Sequence, residues 1–281
     1  MTRPHVDVRP VTPHLGAEIL GIDLSRSLDD DQFQAIRQAF SDYGVIFFRD
    51  QRISEAQHEA FAERFGPINV NRFFRPVPGH PRIAEVRKEA EQKQNIGGGW
   101  HTDHSYDEIP AMGSILLARE VPPTGGDTLF ANLAAAYEAL SPAFKSMLDG
   151  LKARHSARHV FGAQSGYVDG ELQGRLGNSD KADLDAVHPV VVRHPDTGRK
   201  TLYVNPAFTV GIEGWSDAES QALLKFLYAH AVRPEFTCRF NWQAGSIAFW
   251  DNRATWHYAA NDYHGHRRLM HRITIEGAPF Q

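Results

Sequence analysis

The chain has 281 residues, 42% of them hydrophobic, a formal net charge of −4 and one cysteine. Such a chain can build a substantial core, and a single β-rich domain of 1–281 is ordinary at this length. A mildly acidic chain without a basic tail argues against nucleic-acid binding. No apolar run reaches the ~18 residues of a membrane span. Met1 to Asp7 carries no apolar leader, and the lone Cys238 cannot form an intrachain disulfide, so a cytoplasmic location is expected.

Along the chain, the acidic stretch Ser27 to Asp31 predicts a helix start. Phe33, Ile36 and Phe40 follow at helical spacing, and Gly44 predicts its end. Val45 to Phe48 is a short apolar run that reads as a buried strand. Ser54 and Gln57 form a capping-box pattern for a second helix ending at Gly66-Pro67. Lys88 to Gly99 is polar, closes on three glycines and reads as a loop. Strands are expected at Ser114 to Ala118 and near Thr128 to Phe130, then helical material from Ala134 to Leu151 broken at Ser141-Pro142. Two strands, Pro189 to His194 and Lys200 to Val204, flank a Pro-Asp-Thr-Gly turn. Asp217 to His230 reads as an amphipathic helix with Leu223, Leu224, Phe226 and Leu227 on its apolar side. Ser246 to Trp250 and Arg268 to Ile275 are the last expected strands.

The chemistry-bearing residues gather in two blocks. In extended chain, residues two apart point the same way, so His101 and Asp103 can present an imidazole and a carboxylate to one point. A distant histidine such as His257 would complete two nitrogens and one oxygen, the facial set of non-haem Fe(II) oxygenases. Zinc suits the same donors, and the residue types alone do not choose between the two. A hydrolase pattern H-x-H-x-D-H would need a histidine where Gly99 stands. On the last strand, alternation puts Arg268, Met270 and Arg272 on one face.

These blocks sit among others: Leu15-Gly16-Ala17-Glu18-Ile19, Val45 to Gln51, Arg64-Phe65-Gly66, Trp100 to Asp103, Thr124 to Leu129, Trp250 to Arg253 and Arg267 to Arg272. In order and spacing they resemble the TauD/TfdA family of Fe(II)- and 2-oxoglutarate-dependent dioxygenases. The resemblance implies an α+β, mainly β fold: a double-stranded β-helix (jelly roll) with flanking helices, assembled as a dimer or tetramer. It implies Fe(II) on His101, Asp103 and His257, with 2-oxoglutarate and O2 as cosubstrates. Arg268 and Thr128 match the residues that hold the distal carboxylate of 2-oxoglutarate. Arg272 matches the position that binds an anionic group of the primary substrate; read alone, it would salt-bridge a nearby acid. Asn71, Phe74, His104, Phe161 and Phe208 match substrate-pocket positions.

Three of these positions, and Gly97 ahead of the first ligand, depart from the taurine-specific members. Asn71 stands for a histidine, Phe74 for a tyrosine, Gly97 for an asparagine and His104 for a small apolar residue. A retained arginine among changed neighbours implies a small organic anion other than taurine: a larger or more apolar sulfonate, sulfate ester or carboxylate. The alternatives are a biosynthetic hydroxylase or desaturase of an amino-acid-like acid, and a non-catalytic metal-binding jelly roll.

Overall fold

Val45–Phe48 is buried at all four positions, and the reason organises the fold. Successive strand residues face opposite sides. Ile46 and Phe48 join a core with Ile36, Phe40, Phe61, Phe249 and Ile273, under the two N-terminal helices. Val45 and Phe47 enter a second core with Phe130, Phe240, Trp250 and Met270, between two sheets. A strand buried on both faces reads as a continuous apolar run, as this one does.

The computed structural model describes residues 6–280; Met1 to His5, expected to carry no leader, and Gln281 lie outside them. A nine-stranded sheet runs in the order Asp7–Pro10, Ala17–Leu20, Val45–Phe48, Ile247–Asp251, Gly113–Glu120, Arg268–Ile275, His80–Lys88 and Pro76–Val77, with Ile68–Asn69 on Arg268–Ile275. A three-stranded sheet of Thr237–Phe240, Thr128–Asn132 and Thr255–Ala259 faces it. This is the expected jelly roll. Pairing of Gly113–Glu120 with both Ile247–Asp251 and Arg268–Ile275 knits the middle of the chain to its end. The helix Asp217–Ala231 packs with Leu133–Glu138 over the outer side of the smaller sheet, burying Leu223, Leu224 and Leu227 beside Trp256.

The local signals act as expected. Asp29 caps the helix Asp30–Tyr43, and Gly44 ends it in the left-handed region at φ 68°. Ser54 and Gln57 form their capping box, although that helix stops at Glu63, before the Gly66-Pro67 break. Phe226 departs from expectation: it is 47% exposed and packs at a tilt against Phe144. The strand His80–Lys88 was not anticipated, because Arg82, Glu85 and Arg87 interrupt its apolar alternation. Among the described residues, no helix is long and apolar enough to cross a membrane.

Candidate active site

His101 lies outside the regular strands but makes an isolated antiparallel bridge with His257 on Thr255–Ala259. The two backbones exchange hydrogen bonds, His101 N to His257 O at 3.1 Å and His257 N to His101 O at 2.8 Å. Paired residues project to the same side of a sheet, so the two imidazoles lie 4.0 Å apart, centre to centre. Asp103 follows in the turn and faces both rings: its Oδ1 is 3.8 Å from His101 Nε2 and 4.0 Å from His257 Nε2. Each of the three offers one ligand atom, all within 4.8 Å of one another and all buried.

The surroundings set the charge state of each donor. His101 Nδ1 faces the Gly99 carbonyl at 2.7 Å, a contact that fixes a proton on Nδ1 and leaves Nε2 free to ligate. Burial pulls both imidazoles down, His257 well below the ordinary histidine value, with only partial opposition from Asp103. Burial alone would raise the Asp103 carboxyl. The Arg272 guanidinium, the largest opposing influence, holds it below the usual carboxylate range. Two neutral imidazoles and one ionised carboxylate are the donor forms a divalent metal needs.

Supporting contacts fix these side chains. Ser114 Oγ donates to Asp103 Oδ2 at 2.8 Å, and Asn252 Nδ2 donates to Ser114 Oγ at 3.1 Å. Asn252 also accepts from Trp250 Nε1 at 2.9 Å and, through its backbone carbonyl, from Thr102 Oγ1 at 2.6 Å. Asp251 caps the turn, accepting from Arg253 N at 2.8 Å, and also binds His194 Nε2 at 2.9 Å. The signal for Ser114 was a lone hydroxyl in an apolar strand, on the same face as the cavity-lining Leu116. Gly97 sits at φ 82°, and a Cβ there would stand 3.2 Å from His101 Cε1, so a side chain would press on the ligand ring.

The three donors line a cavity of about 820 Å3 that also exposes Thr128, Arg268 and Arg272. Phe74, Leu116, Phe161, Leu176 and Phe208 give it an apolar wall. Tyr106, not anticipated from sequence, lines it too and packs edge-on against Phe208 at 4.7 Å. Phe161 stacks on Phe73 at 4.2 Å.

Arg268 is 5% exposed, and its Nε and Nη2 have no hydrogen-bond partner. Thr128 Oγ1 accepts from Trp242 Nε1 at 3.0 Å, which leaves the hydroxyl proton available. A buried guanidinium without an acid is costly unless a ligand supplies the anion. Arg272 differs: its Nη1 reaches both Asp103 oxygens at 3.3 Å, and its guanidinium rests 4.3 Å from the Phe74 ring centre. The arginine thus does pair with a nearby acid, while its buried Nε stays unpartnered and the side chain borders the cavity.

Two expected pocket residues stand elsewhere. Asn71 Oδ1 accepts from the backbone N of Phe73 and Phe74 at 2.9 and 3.1 Å, holding the turn that presents Phe74. His104 adopts φ 59° and turns its Nδ1 to Asp107 at 2.8 Å. Neither belongs to the cavity lining.

A family model described as taurine catabolism dioxygenase TauD, TfdA family matches residues 7–274. An alkylsulfatase of Acinetobacter baylyi is 37% identical, covering 97% of this chain and 85% of that one. An alpha-ketoglutarate-dependent sulfate ester dioxygenase of Pseudomonas putida is 36% identical over 98% and 92% of the two chains. The crystal structure of a taurine dioxygenase from Burkholderia xenovorans superposes with a TM-score of 0.82 at 39% identity, covering 98% of this chain and 92% of that one. The chain belongs to the TauD, TfdA family and is a 2-oxoglutarate-dependent dioxygenase, using O2 and a metal.

Proposed function

We propose that the metal is Fe(II), held by His101, Asp103 and His257. The support is their convergence and the donor forms that burial and Arg272 impose. Arg268, with Thr128, receives the distal carboxylate of 2-oxoglutarate, and the orphaned donors of Arg268 support this assignment. The fork of Arg268 suits a carboxylate gripped by two charge-assisted hydrogen bonds. Bound there, metal and cosubstrate supply the oxidising power: O2 is split between succinate, formed with release of CO2, and a hydroxyl group on a substrate carbon.

The chain's own residues set orientation and exclusion. Ser114 and Asn252 fix the Asp103 carboxylate, and the His101–His257 backbone bridge fixes both rings. Such preorganisation spares reorganisation during the reaction. Phe74, Phe161 and Phe208 exclude water around the position where a substrate carbon would sit. Arg272 supplies a cation at the metal-side wall, where its charge would attract a substrate anion.

The primary substrate we assign is a small organic anion with an apolar body, a sulfate ester first, then a longer sulfonate or a carboxylate. The observation that carries this is the combination of one arginine, Arg272, with an aromatic and aliphatic wall in a roomy cavity. The relatives named for alkyl sulfates and sulfate esters agree with it. Hydroxylation of the carbon bearing the sulfate would release an aldehyde and sulfate. The test is succinate formation and O2 uptake with linear alkyl sulfates, alkyl sulfonates, aryloxy acids and taurine side by side. Preference for the apolar-bodied anions is expected; preference for a neutral substrate or an amino-acid-like acid would overturn the assignment. We further propose a single domain over 1–281, a homodimer or homotetramer, and a cytoplasmic location. The first rests on the strand pairing across the chain, the second on family resemblance, and the third on the single buried cysteine.

A further inference from the structure

A second cation without an acid lies one strand away from Arg268. Lys88 closes the strand His80–Lys88, directly opposite Arg268 in the antiparallel register. Ala84, Val86 and Lys88 alternate onto the face that carries Arg272, Met270 and Arg268. Val86 reaches the cavity and Lys88 does not. The Lys88 side chain is nevertheless 2% exposed, and its Nζ has no hydrogen-bond partner. The ammonium rests 4.2 Å from the centre of the Tyr263 ring. Tyr263 and Arg268 both pack on Gly126: a Cβ built there would stand 3.2 Å from Tyr263 Cδ1 and 3.4 Å from Arg268 Cδ.

Nearby Arg175 spends Nε and Nη1 on the carbonyl oxygens of Arg87 and Gln94 and adds positive charge beside Lys88, which Glu171 opposes only in part. Neither Lys88 nor Arg268 forms an ion pair among the described residues. An aromatic face offsets only part of the desolvation of an ammonium. Glu171 and Asp127 act on Lys88 and Arg268 without pairing with them, so two buried cations on adjacent strands keep a net cost that a bound anion would relieve. Their common neighbourhood is the end of the cavity assigned above to the distal carboxylate.

We propose that Lys88 is a positioning residue for 2-oxoglutarate: from behind Arg268, its ammonium adds to the positive potential that holds the distal carboxylate, without lining the cavity. This rests on the placement of that carboxylate at Arg268. The arrangement makes the site doubly cationic and the unliganded protein electrostatically strained, so one substitution should move binding and stability in opposite directions.

The experiment uses the full chain with Mn(II) and N-oxalylglycine, an inert isostere of 2-oxoglutarate, read by calorimetry and thermal unfolding. Lys88→Met keeps the apolar stem and removes the charge; Lys88→Gln serves if the methionine variant does not fold. The expected result is N-oxalylglycine binding weakened on the order of tenfold, a ligand-free protein at least as stable as wild type, and unchanged Mn(II) affinity. A purely structural lysine would instead lower the ligand-free melting temperature and leave ligand binding intact. Binding within twofold of wild type in the folded variant overturns the proposal, as does an equal loss of Mn(II) affinity. Arg268→Met run in parallel separates the two claims. If it weakens binding and Lys88→Met does not, only the role of Lys88 falls; if it leaves binding unchanged, the carboxylate placement falls with it.

Discussion

Arg268→Met is the substitution for which the structure gives both a sign and a size. The guanidinium is buried, its Nε and Nη2 are unpartnered, and burial lowers its pKa with only partial opposition from Tyr263 and Asp127. Each unmet buried donor costs about 1–3 kcal/mol. Removing the charge while keeping an apolar side chain should therefore stabilise the ligand-free protein. Even about 1 kcal/mol would raise its melting temperature by roughly 2–4 °C. The bound carboxylate loses charge-assisted hydrogen bonds that contribute roughly 1.5–3 kcal/mol. At about 1.36 kcal/mol per factor of ten, that is roughly 10- to 150-fold weaker 2-oxoglutarate binding. Anaerobic titration of the metal-loaded protein with 2-oxoglutarate, alongside thermal unfolding without it, measures both. A destabilised variant with wild-type 2-oxoglutarate affinity would refute the reasoning, because it would show Arg268 to be an ordinary structural cation.

Ser114→Ala removes the hydroxyl that orients Asp103 Oδ2 and should lower metal affinity about 10- to 100-fold with little change in fold, as measured by metal titration and circular dichroism. Arg272→Met should raise the KM for an alkyl sulfate at least about tenfold while the KM for 2-oxoglutarate moves little, because only Arg272 lies beside the metal-side wall; equal effects on both would merge the two anion sites. In kcat/KM comparisons, taurine should trail a medium-chain alkyl sulfate, since Asn71 is committed to the backbone of Phe73 and Phe74 and offers nothing to a taurine amine. Stability should fall as pH falls below about 6.5. Burial pulls His58 and His155 to about 3 and His271 to about 4, so in that window the unfolded chain binds protons that the folded chain refuses. The expected loss is on the order of 1 kcal/mol per pH unit for each of His58 and His155 and less for the more solvated His271, readable from urea unfolding between pH 7 and pH 5.

Signals carried by local backbone geometry were legible in the sequence. Asp29, Gly44, Ser54 and Gln57 act through contacts within a few residues, and each occupies its expected place. The alternation of Arg268, Met270 and Arg272 is equally local and puts both arginines on the cavity. What sequence spacing could not show was set by pairing across long separations. The bridge between His101 and His257 joins residues in distant blocks, and Lys88 faces Arg268 only because their strands pair. Thr237–Phe240 escaped notice because its apolar residues matter only once it pairs with Thr128–Asn132. The pocket place of His104 came from the resemblance and not from alternation, and its tie to Asp107 three residues on carries no signature in the spacing.

The most direct test of the metal assignment is anaerobic addition of Fe(II) and then 2-oxoglutarate, followed by visible absorption. A weak charge-transfer band that saturates at one iron per chain is expected in the wild-type protein. The same titration of folded His101→Ala should show none. A full band in His101→Ala, or none in the wild type, would contradict the assignment of His101, Asp103 and His257 as the metal centre.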